Sequence, residues 1–238
     1  MEMPEEIENP LKSEHLNEGV SPIMGCVGTP EQFDNFKTEN ADILHAHNVN
    51  YYEDPQKLKE NKFKNQGKNS YVISPIDSLN KFSTSFRNCI GLIVTGQDKE
   101  TGENISFLSH QDPDSFLGET REHFLADLKQ QLSALKERSV SGTIDAVIVG
   151  GDYYGIQRQK EYVGSIGLVA DEVQNLLGFE PVVMTGPKIN WNRWIAEDDV
   201  FYDNGHRRLY IRRPDVGDAS TESYLPSDVI KKWPTKDS

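Results

Sequence analysis

Two cysteines and six histidines carry most of the nucleophilic and proton-transfer chemistry open to this chain. Cys89 opens the apolar run Cys89-Ile90-Gly91-Leu92-Ile93-Val94-Thr95, and His110 closes a second run, Ile105-Ser106-Phe107-Leu108-Ser109-His110. The intervening segment is polar, includes Gly102, and suits a hairpin loop. In a hairpin the start of one strand lies opposite the end of the other, so Cys89 and His110 are expected as cross-strand neighbours at one sheet edge. That is the arrangement a thiol nucleophile requires, because the thiolate is the reactive form and an imidazole must take its proton. The competing reading is a small buried cysteine and a strand-end histidine, which is the commoner fate of such residues. The hairpin register narrows the gap between the two without reversing it.

The other candidates carry weaker signals. Gly150-Gly151 follows a buried strand and either brings backbone close to a ligand or permits a tight turn. It is not a phosphate loop, since the Lys-Ser/Thr pair is missing. The stretch from Asp152 to Gln159, with Tyr153 and Tyr154, reads either as a substrate-facing loop or as a plain connection. His45 and His47 would share a face of a strand, but no third metal ligand is suggested nearby and a solvated segment is the better reading. Cys26 has no histidine partner in its neighbourhood, His123 reads as surface and His206 as a turn residue. Trp191 and Trp194 form an exposed ridge or a packed corner, and the high average burial of Trp favours packing. No metal and no organic cofactor is expected.

The elements that must position these residues follow from pattern and composition. The chain has 238 residues and a formal net charge of −13, which argues against non-specific binding to nucleic acid or anionic lipid. No apolar run approaches the roughly 20 residues that span a bilayer, and Met1 to Glu6 lacks the basic and apolar regions of a secretory signal. Two cysteines are too few for a disulfide scaffold. A soluble, cytoplasmic protein without membrane insertion is expected. Residues 1–70 hold 13 acids against 7 bases with little periodicity and read as an acidic, partly disordered arm. Residues 71–214 read as the folded unit, and 215–238 as a polar tail.

Within 71–214 the expected elements are a short strand at Tyr71 to Ile73, the hairpin around Gly102, and a helix carrying Phe124, Leu125, Leu128, Leu132 and Leu135. A buried strand from Ile144 to Val149, a second helix ending at Gly178, a strand from Pro181 to Met184 and a hairpin around Asn204-Gly205 follow. Ser83 to Asn88 reads as a polar, turn-like segment. The sum is an α+β fold, with mixed strands, hairpins and two main helices in layers.

The order of these elements resembles the bacterial chemoreceptor glutamine deamidases, the CheD family. The matching stretches are Asn88-Cys89-Ile90-Gly91-Leu92-Ile93-Val94, Ile105 to His110, Ala146-Val147-Ile148-Val149-Gly150-Gly151, Ser165-Ile166-Gly167, Thr185-Gly186-Pro187 and Val200-Phe201-Tyr202-Asp203-Asn204-Gly205. The resemblance covers about Tyr71 to Arg213. It implies a layered α/β/β sandwich like that of the cytotoxic necrotizing factor toxins, a Cys89 nucleophile and a His110 base. The family's threonine six residues before the cysteine is matched by Ser83, with Thr84 next to it; either hydroxyl, or nearby backbone amides, would serve the oxyanion. Arg87-Asn88-Cys89 replaces the family's Gly-Ser-Cys, and the Cys–His separation is longer, with the extra residues fitting the hairpin loop.

The expected activity is conversion of a glutamine carboxamide in a protein to glutamate plus ammonia, with Asn88, Gly150, Gly151 and Tyr153 facing the substrate. By family default the substrate is a chemoreceptor presenting an accessible Gln, and a regulatory protein partner fits the same picture. Two alternatives stay open: a catalytically inactive binding module, or a secreted effector of the toxin type acting on a host protein.

Overall fold

The computed structural model describes residues 14–39, 45–50, 70–86, 89–150, 155–185, 198–213 and 230–231. Two mixed sheets pack face to face, with helices on both outer surfaces. The five-stranded sheet contains β3 (Tyr71–Ile73), β5 (Ile90–Gln97), β6 (Asn104–Gln111), β7 (Asp145–Gly150) and β8 (Val182–Thr185), in the order β3-β6-β5-β7-β8. The expected hairpin is its centre: β5 and β6 pair antiparallel from Ile90↔Gln111 to Gln97↔Asn104. β7 pairs antiparallel with β5, and β8 parallel with β7.

Because both faces of this sheet are covered, its central strands are apolar without alternation. Ile90, Leu92, Val94, Phe107, Ala146 and Ile148 face the helices α2 (Gly118–Arg138) and α3 (Gly155–Leu177). Phe124, Leu128, Leu132 and Leu135 of α2 recur at helical spacing and are all fully buried there. Gly178 ends α3 at φ +92°, and its N–H closes on the Gln174 carbonyl. The alternate set, Ile93, Leu108, Val147 and Val149, points the other way into the layer between the sheets.

The second sheet contains β1 (Met24–Gly28), β2 (His47–Asn48), β4 (Lys81–Phe86), β9 (Asp198–Asp203), β10 (Arg208–Arg212) and β11 (Ile230–Lys231), in the order β11-β1-β10-β9-β4-β2. Val200, Tyr202, Leu209 and Ile211 close the shared interior from this side. Its outer face carries a third helix, α1 (Pro30–Glu39), whose Phe33 and Phe36 pack on Cys26, Phe82, Phe201 and Tyr210.

The expected boundary near Tyr71 is therefore corrected, since residues 24–28 and 47–48 are strands of the sheet and Pro30–Glu39 packs on it. β1 lies between two parallel partners, Met24↔Arg208 to Gly28↔Arg212 on one side and Gly25↔Ile230 on the other. The segment before β1 is also tied down, with Asn17 N–H donating to the Gly142 carbonyl and the Asn17 amide to that of Ser141. The turn-like reading of Ser83 to Phe86 is likewise replaced by a strand, β4. The Asn204-Gly205 hairpin forms as expected from Asp203↔Arg208, but the left-handed residue of its loop is Arg207, at φ +52°. No helix among the described residues is long and apolar enough to cross a membrane.

Candidate active site

The candidate residues meet at one end of the interior between the sheets. Gly91 lies opposite His110 in the β5–β6 ladder. Cys89, two residues before Gly91, is on the same face of the pleat and diagonal to His110, a placement within reach of side-chain contact. Both are buried, and Cys89 belongs to the inter-sheet cluster.

Gly91 leaves the site opposite His110 open, and the Phe86 ring fills it. A Cβ on Gly91 would come within 2.7 Å of that ring, and the ring stacks on the His110 imidazole with centroids 4.1 Å apart. A bulge in β4 aims Phe86 there. Ser83 pairs with Val200, but Phe86 rather than Ser85 pairs with Asp198, so Thr84 and Ser85 together oppose Asp199. Ser85 takes φ +65° and its N–H donates to Asp199 Oδ1 (3.0 Å). Strict alternation would have put Phe86 on the same face as Phe82, against α1. The extra residue turns it inward.

Ser83, ahead of the bulge, also faces inward and is fully buried. Its Oγ is 2.8 Å from His110 Nδ1, 2.5 Å from the Val49 carbonyl and 2.9 Å from Asn50 Oδ1. Pleat alternation puts Thr84 on the opposite face, and only its backbone N–H reaches the cluster, donating to Asn50 Oδ1 (3.0 Å). Of the two hydroxyls offered as oxyanion donors, Thr84 therefore points away, and Ser83 is engaged in orienting the histidine. Burial pulls the His110 pKa down to about 3, against the Val49 carbonyl, which works upward. The imidazole is neutral at any ordinary pH.

Gly150 approaches from the third strand. It pairs with Ile90 at φ +77°, and a Cβ there would sit 2.6 Å from the Cys89 carbonyl oxygen and 3.0 Å from the Phe86 ring. It thus fixes the cysteine's backbone, and the close approach is to that backbone and not to a ligand. Asn88, Gly151 and Tyr153 fall outside the described residues, as do Arg87, Trp191 and Trp194.

Sequence reasoning missed Val49, Asn50 and Phe86. The first two follow β2, in the stretch read as an arm; a single valine–asparagine step carries no signal of its own. Two of the other histidines are paired away from this site. His47 Nε2 is 2.8 Å from Asp77 Oδ2, whose Oδ1 holds the buried Lys81 at 2.7 Å, and His206 pairs with Asp203 in the exposed hairpin loop. Among the described residues no group of three or more His, Cys, Asp and Glu side chains converges as metal ligands would.

An imidazole held on one nitrogen by a serine, on the same strand face as a cysteine, can accept the thiol's proton and return it to a leaving group. No protein-family model matches the chain, and no curated protein matches it either.

Proposed function

We propose that the protein is a cysteine-dependent protein glutamine deamidase, with Cys89 as nucleophile, His110 as general base and acid, and Ser83 orienting the imidazole. The observation that carries this reading is the 2.8 Å contact between Ser83 Oγ and His110 Nδ1, on a ring that shares its strand face with Cys89. A hydroxyl six residues before the cysteine is what the CheD resemblance anticipates, and the bond gives that hydroxyl a physical task.

Carboxamides are poor electrophiles and amide anion is a poor leaving group, so the reaction needs covalent catalysis. His110 Nε2 takes the Cys89 Sγ proton as the sulfur attacks the glutamine Cδ. Backbone amides near the cysteine receive the developing oxyanion. The same proton passes to the departing nitrogen, which leaves as ammonia, and the C–S thioester remains. Water then attacks that carbon with His110 taking a proton from it, the C–S bond breaks, and protonation of the sulfur regenerates the thiol beside a glutamate. No group outside the chain and its substrate is consumed except water.

Burial of both Cys89 and His110 sets a condition. In the closed interior the neutral thiol and imidazole are favoured over the thiolate–imidazolium pair, so the dyad is activated as the substrate carboxamide enters and supplies polar partners. The same burial favours the second reading, a binding module that keeps the fold without the chemistry. Chemoreceptors are the default substrates, and a host protein is the alternative for an effector.

Ammonia release from receptor cytoplasmic domains, with mass spectrometry for the shift of about +1 Da from Gln to Glu, tests the proposal. Wild type should release ammonia, and Cys89→Ala and His110→Ala should each lower the rate at least about a thousandfold, as losses of members of such a unit do. Cys26 and Cys89 are each 4% exposed, so Cys26 is a matched control for reactivity. If wild type releases no ammonia and Cys89 alkylates no faster than Cys26, the binding module stands instead.

A further inference from the structure

We infer that Asn50 is a positioning residue, and that it acts with the Val49 carbonyl to fix the His110 tautomer, so that residues 45–50 complete the site from outside the region that resembles a deamidase. The inference rests on the proposed Cys89–His110 chemistry for its purpose, but its structural content stands apart from it.

Hydrogen counting carries the point. Ser83 Oγ has one hydrogen and three neighbours at bonding distance: the Val49 oxygen at 2.5 Å, Asn50 Oδ1 at 2.9 Å and His110 Nδ1 at 2.8 Å. The Val49 oxygen is a carbonyl and can only accept. Asn50 is fixed with its oxygen toward Ser83, because that oxygen also takes the Thr84 N–H at 3.0 Å while its Nδ2 donates to Asn48 Oδ1 at 2.6 Å. Two acceptors therefore compete for the serine's hydrogen, and neither can give one back.

The contact with Nδ1 is then a bond only if Nδ1 carries the proton and the serine oxygen accepts it. The Val49 carbonyl, which also faces the ring, enforces the same choice. His110 is held as the Nδ1–H tautomer, with the lone pair on Nε2, the nitrogen that a thiol proton must reach. The opposite tautomer would place two lone pairs against each other in a dry interior.

The clamp reaches the site through two short connections. Val49 N–H donates to the Phe82 carbonyl (2.7 Å) and His47 N–H to that of Asn80 (2.9 Å), which lock β2 alongside β4. Asn50 then ties Ser83 and Thr84 together at the edge of the bulge that aims Phe86 at the imidazole. One side chain thus sets both the orientation of the base and the start of the bulge beneath it.

Two measurements on the full-length chain decide the matter without any glutamine substrate. Long-range ¹H–¹⁵N correlation of the imidazoles at pH 7 should show His110 protonated at Nδ1 and bare at Nε2; an Nε2–H signal overturns the inference. Alkylation of Cys89 by iodoacetamide, with Cys26 as control, should fall about tenfold or more in Asn50→Ala, less than the roughly hundredfold or greater effect of removing a general base, because the base is misoriented and not lost.

Asn50→Asp keeps the acceptor and should restore most of the rate. The carboxylate beside the ring should also move the acid limb of the alkylation profile to higher pH. A role in folding alone would not move that limb, so equal loss in both variants with an unmoved limb, or no loss in Asn50→Ala, overturns the positioning role. If Asn50→Ala does not fold, the wild-type tautomer and Asn50→Asp decide. Should these results hold while no protein is deamidated, the proposed function falls and the clamp stands.

Discussion

The interior between the two sheets holds buried polar groups at both ends of β5, and the two ends are built on opposite principles. At the Thr95 end lies Arg207, buried, with Nη1 donating to the Ser21 carbonyl (3.0 Å), Nη2 to that of Thr143 (2.7 Å) and Nε to Asn104 Oδ1 (3.1 Å). Beside it, buried Asp145 accepts the Ile23 N–H at 2.7 Å and the Ala146 N–H at 2.9 Å. His15, stacked on Phe179 with centroids 3.7 Å apart, adds a third contact to that carboxylate.

Each of the three guanidinium nitrogens donates to a carbonyl or amide oxygen of a different segment, and the group stays charged. At the Gly91 end the polar group is an imidazole that burial keeps neutral, bonded through Nδ1 and able to change protonation state. Permanent charge with fixed acceptors makes a knot, whereas a neutral, titratable group behind an aromatic ring makes a place where a proton can move.

The comparison is open to direct attack. Arg207→Met should give the largest effect, about 3–5 kcal/mol of lost stability, because it leaves Asp145 buried without its neighbouring positive charge and three acceptors without a donor. Chemical denaturation measures it, and a loss under about 1 kcal/mol would deny that this end is structural.

Gly150→Ala should come next, about 2 kcal/mol or more, combining a left-handed φ with a Cβ driven against the Cys89 carbonyl. It should also change Cys89 alkylation while leaving Cys26 alone. An effect on stability with no change at Cys89 would mean that the close approach fixes the fold and not the thiol.

The effect that vanishes near neutral pH, and grows as pH falls, belongs to His110. Its pKa is about 3 in the folded chain and ordinary, near 6.5, when unfolded. Between those values the unfolded chain carries a proton the native one lacks. Stability contributed here is full above about pH 6.5 and declines by about 1.4 kcal/mol per pH unit as pH falls toward 3. His110→Gln should remove one proton's worth of that slope. An unchanged slope would place His110 in a wetter environment than its burial implies.

The sequence made much of the five-stranded sheet legible, and for a physical reason. β5 and β6 are apolar on both faces, are joined by a short loop with Gly102, and pair locally, so periodicity and turn chemistry agree. The second sheet was harder to read. β4 is Lys81-Phe82-Ser83-Thr84-Ser85-Phe86, with two apolar residues whose phase changes at the bulge, and no strict period fits it.

β1 has five residues, two of them glycine, and its pairing partner β10 begins at Arg208. A signal for α1 was present, however. Thr29-Pro30-Glu31-Gln32 is a capping box with proline at the first helical position. Both of its reciprocal bonds form, Thr29 N–H to Gln32 Oε1 (2.9 Å) and Gln32 N–H to Thr29 Oγ1 (3.2 Å). As for the candidate site, Cys89, His110 and Ser83 are residues that pattern and resemblance single out, and the fold brings Ser83 and His110 into contact. Val49 and Asn50 could not be singled out, because a backbone carbonyl leaves no mark in a sequence and a lone asparagine outside any periodic segment signals nothing by its type.

The place of β1 bears on the order in which the molecule comes into being. A strand near residue 25 that takes its neighbours from near 210 and 230 must wait, during synthesis on the ribosome, until those residues have emerged. The hairpin bearing His110, by contrast, can close as soon as its own residues have emerged, since its partners are adjacent in sequence. Ser83 belongs to the late sheet and Cys89 to the early one, so a nascent chain carries the thiol and the imidazole well before the β1 side of the second sheet closes. Closure of the second sheet around the site would then wait on residues made some two hundred positions after β1.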